Sequence, residues 1–199
     1  MKKLRGRPRE FDPQLALEKA IPVFWKKGLS ATSLDDLSSA MEMNRPSIYN
    51  AFGNKEAIYR LALEQFCGKL NENIENVLLK TPDIKKALAT FFEQIVDVYC
   101  ATKPALGCLM ICTAPAESFA HPEVKADLHN LISGVDDQLQ RRIQKAIQNG
   151  ELPESCDADL TAKLLQAVLH SLAIRARAGE SSVSLKKFAK FSVQTSLRC

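Results

Sequence analysis

No stretch of the 199-residue chain approaches the ~18 uninterrupted apolar residues that a membrane-spanning helix needs, so no membrane association is expected. The basic opening MKKLRGRPRE is not followed by an apolar segment, which argues against a secretory leader. The six cysteines, at positions 67, 100, 108, 112, 156 and 199, include no C-x2-C pair. That scatter predicts reduced, mostly buried thiols in a cytoplasmic protein rather than a zinc or disulfide framework. No histidine or carboxylate pair stands at metal-ligand spacing. No nucleophile–base set, phosphate-cradling loop or Gly-rich dinucleotide turn is present. The sequence therefore predicts no enzyme, no catalytic residue, no metal and no cofactor. Alternating strand patterns are missing too, so the expected fold is all-α.

What remains is the composition of an ordinary globular protein, 46% hydrophobic and 25% charged, long enough for one large or two small domains. Charge is unevenly placed. Residues 1–60 hold 11 Lys and Arg against 7 Asp and Glu, whereas the other 139 residues hold 16 of each. The whole formal excess of +4 thus lies in the first third, as a polyanion-binding head requires.

That third contains TSLDDLSSAMEMNRPSIYNAFGNKE, residues 32–56. It reads as two short helices joined by a tight turn, with a third starting at once, and we take it as a helix-turn-helix that docks on DNA. Ser33 and Asp36 have the spacing of a capping box, and Thr32 is a second candidate cap. Leu34, Leu37 and Met41 give the first helix a buried face, leaving Ser38 and Ser39 outward. Asn44 is a cap for the second helix and Pro46 falls in its first turn, where a missing N–H costs little. Ile48 and Phe52 form its buried stripe. Arg45, Ser47, Tyr49 and Asn50 lie opposite, a set suited to phosphate oxygens and base edges. Lys55 opens the next helix against its macrodipole, which suggests a phosphate contact. Upstream, Arg5 and Arg7 lie in a flexible basic arm (1–10) able to reach a minor groove. Asp12-Pro13 starts a helix that runs to Lys27 and stops at Gly28. Pro22 falls inside it and predicts a bend.

The combined order of a hydrophobic helix ending FWKKG, then ATSLDDL, then SIYNAFGNKE resembles the N-terminal domain of the TetR/AcrR family of transcriptional regulators. The resemblance covers residues 11–64 or so. It implies that Thr32, Ser33, Tyr49 and Lys55 touch phosphates and that Asn44, Arg45, Pro46, Ser47 and Asn50 face the major groove. One departure is Glu42, where the family's turn carries glycine. That turn is expected to differ in geometry or to accept strain. The resemblance further implies a larger C-terminal helical domain that holds a small ligand and forms a homodimer through its last two long helices.

Helical periodicity continues from Asn54 through about residue 79, then from Pro82 to about Thr102, from Val124 to Gln148, from Asp157 past Leu172, and from Ser182 on. We divide the chain into the arm, a helix-turn-helix domain at 11–55 whose end is continuous with helix 54–79, and a regulatory and dimerisation domain at 56–199. Phe66, Leu70, Phe91, Phe92, Ile95, Tyr99, Met110, Phe119 and Leu131 could line an apolar cavity for a small apolar or amphipathic effector. His121 and His170 are possible polar contacts there. The leading reading is a dimeric repressor that binds a palindromic double-stranded operator and is released by a small ligand, its heads meeting major grooves roughly 34–36 Å apart. Two alternatives stand beside it. Cys108 and Cys112, four apart, could act as a redox trigger, or the chain could be a helical interaction protein without ligand.

Overall fold

Each of the first four helices begins at a residue whose side chain accepts a backbone N–H that the helix itself cannot satisfy. Asp12 accepts from Gln14 (2.9 Å), Ser33 from Asp36 (3.0 Å), Asn44 from Ser47 (2.9 Å) and Asn54 from Ala57 (2.8 Å). The computed structural model describes residues 12–198, apart from the side chains of residues 69, 70 and 73–75. Its helices are α1 (Pro13–Lys27), α2 (Leu34–Met41), α3 (Arg45–Phe52), α4 (Lys55–Asn73), α5 (Ile84–Tyr99), α6 (Leu109–Glu117), α7 (Pro122–Gln148), α8 (Ala158–Arg177) and α9 (Ser182–Ser196). No strand occurs among the described residues, so the all-α expectation holds. The chain divides into two compact units between Ala62 and Leu63, inside α4.

The first unit is a small bundle. Ala16, Ala20 and Phe24 of α1, Leu37 and Met41 of α2, Ile48 of α3 and Ile58 and Tyr59 of α4 are buried. Phe24 meets Tyr59 edge-on, with centroids 5.2 Å apart. Pro22 sits inside α1 on its exposed side, and the helix continues past it.

The turn between α2 and α3 settles the question raised by Glu42. Its backbone is left-handed, φ 56° and ψ 39°, the conformation for which glycine is ordinarily used. The N–H of Glu42 and that of Met43 both return to the Ser38 carbonyl. The Ser38 hydroxyl donates to the Met43 carbonyl at 2.5 Å, so Ser38 ties the turn instead of facing away as expected. Lys19 pairs with the exposed Glu42 carboxylate at 2.8 Å. A non-glycine residue in this region costs roughly 1–2 kcal/mol, and glycine's extra chain entropy about 0.5–1 kcal/mol. Glu42→Gly is therefore expected to stabilise the fold by about 0.5–1 kcal/mol, since the exposed Lys19 pair contributes little. Thermal unfolding checks this: an equal or lower midpoint would mean that the turn carries no strain.

In the second unit α5 is central. Ile84, Leu88, Phe91, Phe92, Ile95 and Tyr99 are buried on it, and it packs against α8 and α9 while α7 packs against α6 and α8. The helix expected to run evenly to about residue 79 changes to a π-helical segment at Ile74–Leu79. Gly107 is required by a close approach: it has φ +70°, and a Cβ there would collide with the Ala173 carbonyl oxygen of α8. Cys67, Cys100, Cys108 and Cys112 are free thiols, but Cys156 is disulfide-bonded, which corrects the expectation of six reduced cysteines. Among the described residues no helix is long and apolar enough to cross a membrane, and no group of three His, Cys, Asp or Glu could hold a metal ion.

Candidate nucleic-acid interface

α3 presents one polar face. Ile48 is buried, while Asn44, Arg45, Pro46, Tyr49 and Asn50 are exposed and Ser47 is half-buried. Tyr49 and Asn50 make no side-chain hydrogen bond among the described residues, whereas the Asn44 oxygen is committed to the cap. The helix ends where Gly53, at φ 83°, returns its N–H to the Tyr49 carbonyl.

Three of the residues expected to contact DNA have partners that their sequence neighbourhood does not reveal. Arg45 donates through Nε (3.1 Å) and Nη2 (2.6 Å) to Asp35 at the start of α2, and the carboxylate beside it raises the guanidinium pKa further. Thr32 is only 1% exposed, with its hydroxyl donating to the Gly28 carbonyl at 2.6 Å. It locks the α1–α2 connection, so its side chain is withdrawn from the surface where a phosphate would lie. The Lys55 ammonium donates to the carbonyls of Thr32 (2.8 Å) and Ser30 (3.3 Å), which explains a lysine at a helix start without any phosphate. Ser33 is exposed, but its hydroxyl is engaged in the α2 capping box. Arg5 and Arg7 lie outside the described residues.

The capping box has an electrostatic partner that sequence reasoning missed. Lys27, in the last turn of α1, donates to Asp36 at 2.7 Å. With the Ser33 N–H and hydroxyl, that lysine lowers the Asp36 pKa to about 2. A depressed carboxylate stabilises the fold fully above its unfolded value, near 3.8, and loses that contribution as pH falls towards 2. The wild type is therefore expected to lose thermal stability between pH 4 and 2 more steeply than Asp36→Asn does. Parallel curves for the two proteins over that range would remove Asp36 from this role.

Comparison with known proteins places this geometry in context. A family model described as "Bacterial regulatory proteins, tetR family" matches residues 16–62, and one described as "Tetracyclin repressor-like, C-terminal domain" matches residues 85–191, more than half of the chain. The chain belongs to the TetR family. It is a transcriptional regulator and not an enzyme. Among its relatives is the HTH-type transcriptional repressor ComR of Escherichia coli, 31% identical over 190 residues that cover 95% of this chain and 90% of ComR. An HTH-type regulator of Bacillus subtilis, YezE, is 28% identical over 79% of this chain and 80% of its own. In three dimensions the chain is similar to a cysteine mutant of the TetR-family regulator CifR complexed with a 26-base-pair operator DNA. The TM-score is 0.86 and the identity 29%, covering 94% of this chain and 98% of that one.

In the second unit of this TetR-family protein the expected cavity residues divide. Phe66, Phe91, Phe92, Ile95, Tyr99 and Met110 are buried, with Phe91 and Phe92 edge-on at 5.6 Å. Leu131, His121 and His170 are half-buried, and burial lowers the His170 pKa. The Leu70 side chain is outside those described. Phe119 corrects the expectation: it is 100% exposed in the turn between α6 and α7 and lines no interior. Leu160, Leu164 and Ala167 are exposed on α8, with Ile174 two turns further along the same face. Val183 and Phe191, two turns apart on α9, are exposed as well.

The cysteine pair is poorly suited to redox chemistry. Cys108 is the extended residue before α6, not part of it. Its burial pushes the thiol up to about 11 and that of Cys67 to about 12. Cys112 is also raised, by burial, despite the nearby Arg177. A thiol held protonated is a weak nucleophile towards peroxide.

Proposed function

We propose that this TetR-family regulator is a homodimeric, cytoplasmic repressor that lays α3 in the major groove of a palindromic operator and is released by a small apolar or amphipathic ligand. One observation carries the DNA reading: the exposed face of α3 gathers a guanidinium, an amide, a phenol and a hydroxyl opposite buried Ile48. Arg45 and Asn50 read base edges, while Asn44, Pro46 and Ser47 lie along the same groove wall. Tyr49, Ser33, through its backbone end of α2, and the third donor of Lys55 bind phosphates, and Thr32 acts by holding that edge in place. Arg5 and Arg7 add contacts in the adjoining minor groove.

Repression is supported by the name of ComR, and operator binding by the complex in which CifR was solved. Dimerisation uses the last two long helices, α8 and α9, whose exposed apolar side chains have no cover within one chain. The effector occupies the interior around Phe91, Phe92, Ile95, Tyr99 and Met110, with Phe66 from α4 and Leu131 and His170 at its edge. Ligand binding need only favour one of two head spacings to change operator affinity.

A gel shift of the purified protein on its own upstream DNA, with random duplex as competitor, tests the reading. A retarded band that survives a hundredfold excess of competitor is expected. Absence of any shift at low ionic strength would overturn it.

A further inference from the structure

We propose that a small cleft in the regulatory unit, between the end of the π-helical segment and the last turns of α7, binds a phosphate-type oxyanion. The cleft has a volume of about 220 Å³, and its lining includes Lys80, Thr81, Arg142, Lys145 and Asn149 but no carboxylate. Drug-sized ligands occupy roughly 300–1,000 Å³, so this space suits a small ion and not a bulky effector.

Arg142 is the central group. Its side chain is 2% exposed, and a charged group is rarely buried so fully without complete pairing. Nε donates to the Leu78 carbonyl at 3.0 Å. Nη2 donates to the carbonyls of Pro82 (2.7 Å) and Thr81 (3.2 Å). Nη1 is buried and has no partner. The counter-charge is equally incomplete. Glu151 lies 3.8 Å from Nη2, and that same carboxylate oxygen already accepts the Ile84 N–H at 2.7 Å, while its other oxygen faces the Asn149 amide at 3.5 Å. Three cations, Lys80, Arg142 and Lys145, therefore line a cleft that holds no carboxylate, and the one carboxylate beside Arg142 is committed elsewhere.

Helix ends alone account for part of this. Lys145 is in the last turn of α7, and Lys80, held to Asn76 at 2.6 Å, follows Leu79, so both offset the negative pole of a helix. That explanation leaves Nη1 of the guanidinium short of a partner and the cleft without a counter-charge. An oxyanion supplies that partner: one of its oxygens accepts from Nη1 and others accept from the two ammonium groups at the rim.

Inorganic phosphate, titrated into the full-length protein without DNA and followed by calorimetry at constant ionic strength set with chloride, is the test. Saturable binding is expected. The double variant Lys80→Ala/Lys145→Ala changes two exposed side chains and should fold normally, yet bind phosphate at least tenfold more weakly. Arg142→Lys, which keeps charge but removes the Nη1 donor, should weaken binding in the same sense. Arg45→Ala should bind phosphate like the wild type, which separates this cleft from the DNA-binding face and makes the outcome independent of operator binding. No saturation, or equal affinity in the wild type and the double lysine variant, would overturn the proposal; should Arg142→Lys fail to fold, the lysine pair still decides.

Discussion

Leu164→Glu is expected to produce a folded monomer whose hold on its operator is weakened by two to four orders of magnitude. Leu164 is 52% exposed in the middle of a row formed with Leu160 (62%), Ala167 and Ile174 (57%) along one side of α8. The opposite side, with Leu165, Leu169 and Leu172, is buried in the subunit's own core and is untouched by the change. In a two-fold dimer the same patch meets itself, so one glutamate per chain puts two carboxylates into a shared apolar interface. A charge buried among apolar side chains is costly enough to separate the subunits. Loss of the second head removes the effective-concentration gain of two-site binding, roughly 10²–10⁴ in affinity. Sedimentation gives the assembly state and a gel shift the affinity. A variant that stays dimeric and binds normally would move the interface away from this row.

The second large effect concerns Arg45. A bidentate arginine–guanine contact discriminates by about 1–3 kcal/mol, which corresponds to a change in affinity of roughly 5- to 150-fold. Arg45→Ala is expected to lose that factor on the operator and far less on random duplex. Fluorescence anisotropy on both DNAs reads the difference. Equal losses would make Arg45 a backbone contact. Asp35→Asn, which leaves the guanidinium in place but weakens its internal partner, is expected to tighten binding to both DNAs.

Local chemistry was readable from the chain. The Ser33–Asp36 box, the Asn44 cap with Pro46 behind it, and the stop at Gly53 depend on residues three to five apart, and the structure forms each of them. Partners brought together by folding were not readable. Asp35 lies ten positions from Arg45, Lys55 reaches back to Ser30 and Thr32, and Arg142 reaches carbonyls sixty or more positions away. Periodicity also cannot tell which surface an apolar row faces. Leu160 and Leu164 belong to a different side of α8 from Val168 and Leu172, although all four share a helical repeat. Phe119 sits in a turn, where no repeat exists to orient it. The π-helical segment follows α4 without any composition change that would set it apart.

The Asp35–Arg45 pair has a kinetic consequence. A cation already neutralised by its neighbour adds little to the long-range field that draws a protein towards a polyanion. In the proposed base-reading role of Arg45, encounter with any duplex relies on the remaining positive groups, and the guanidinium passes from carboxylate to base only after docking. Removing Arg45 should accordingly shorten the lifetime of the operator complex while leaving the speed of its formation nearly unchanged.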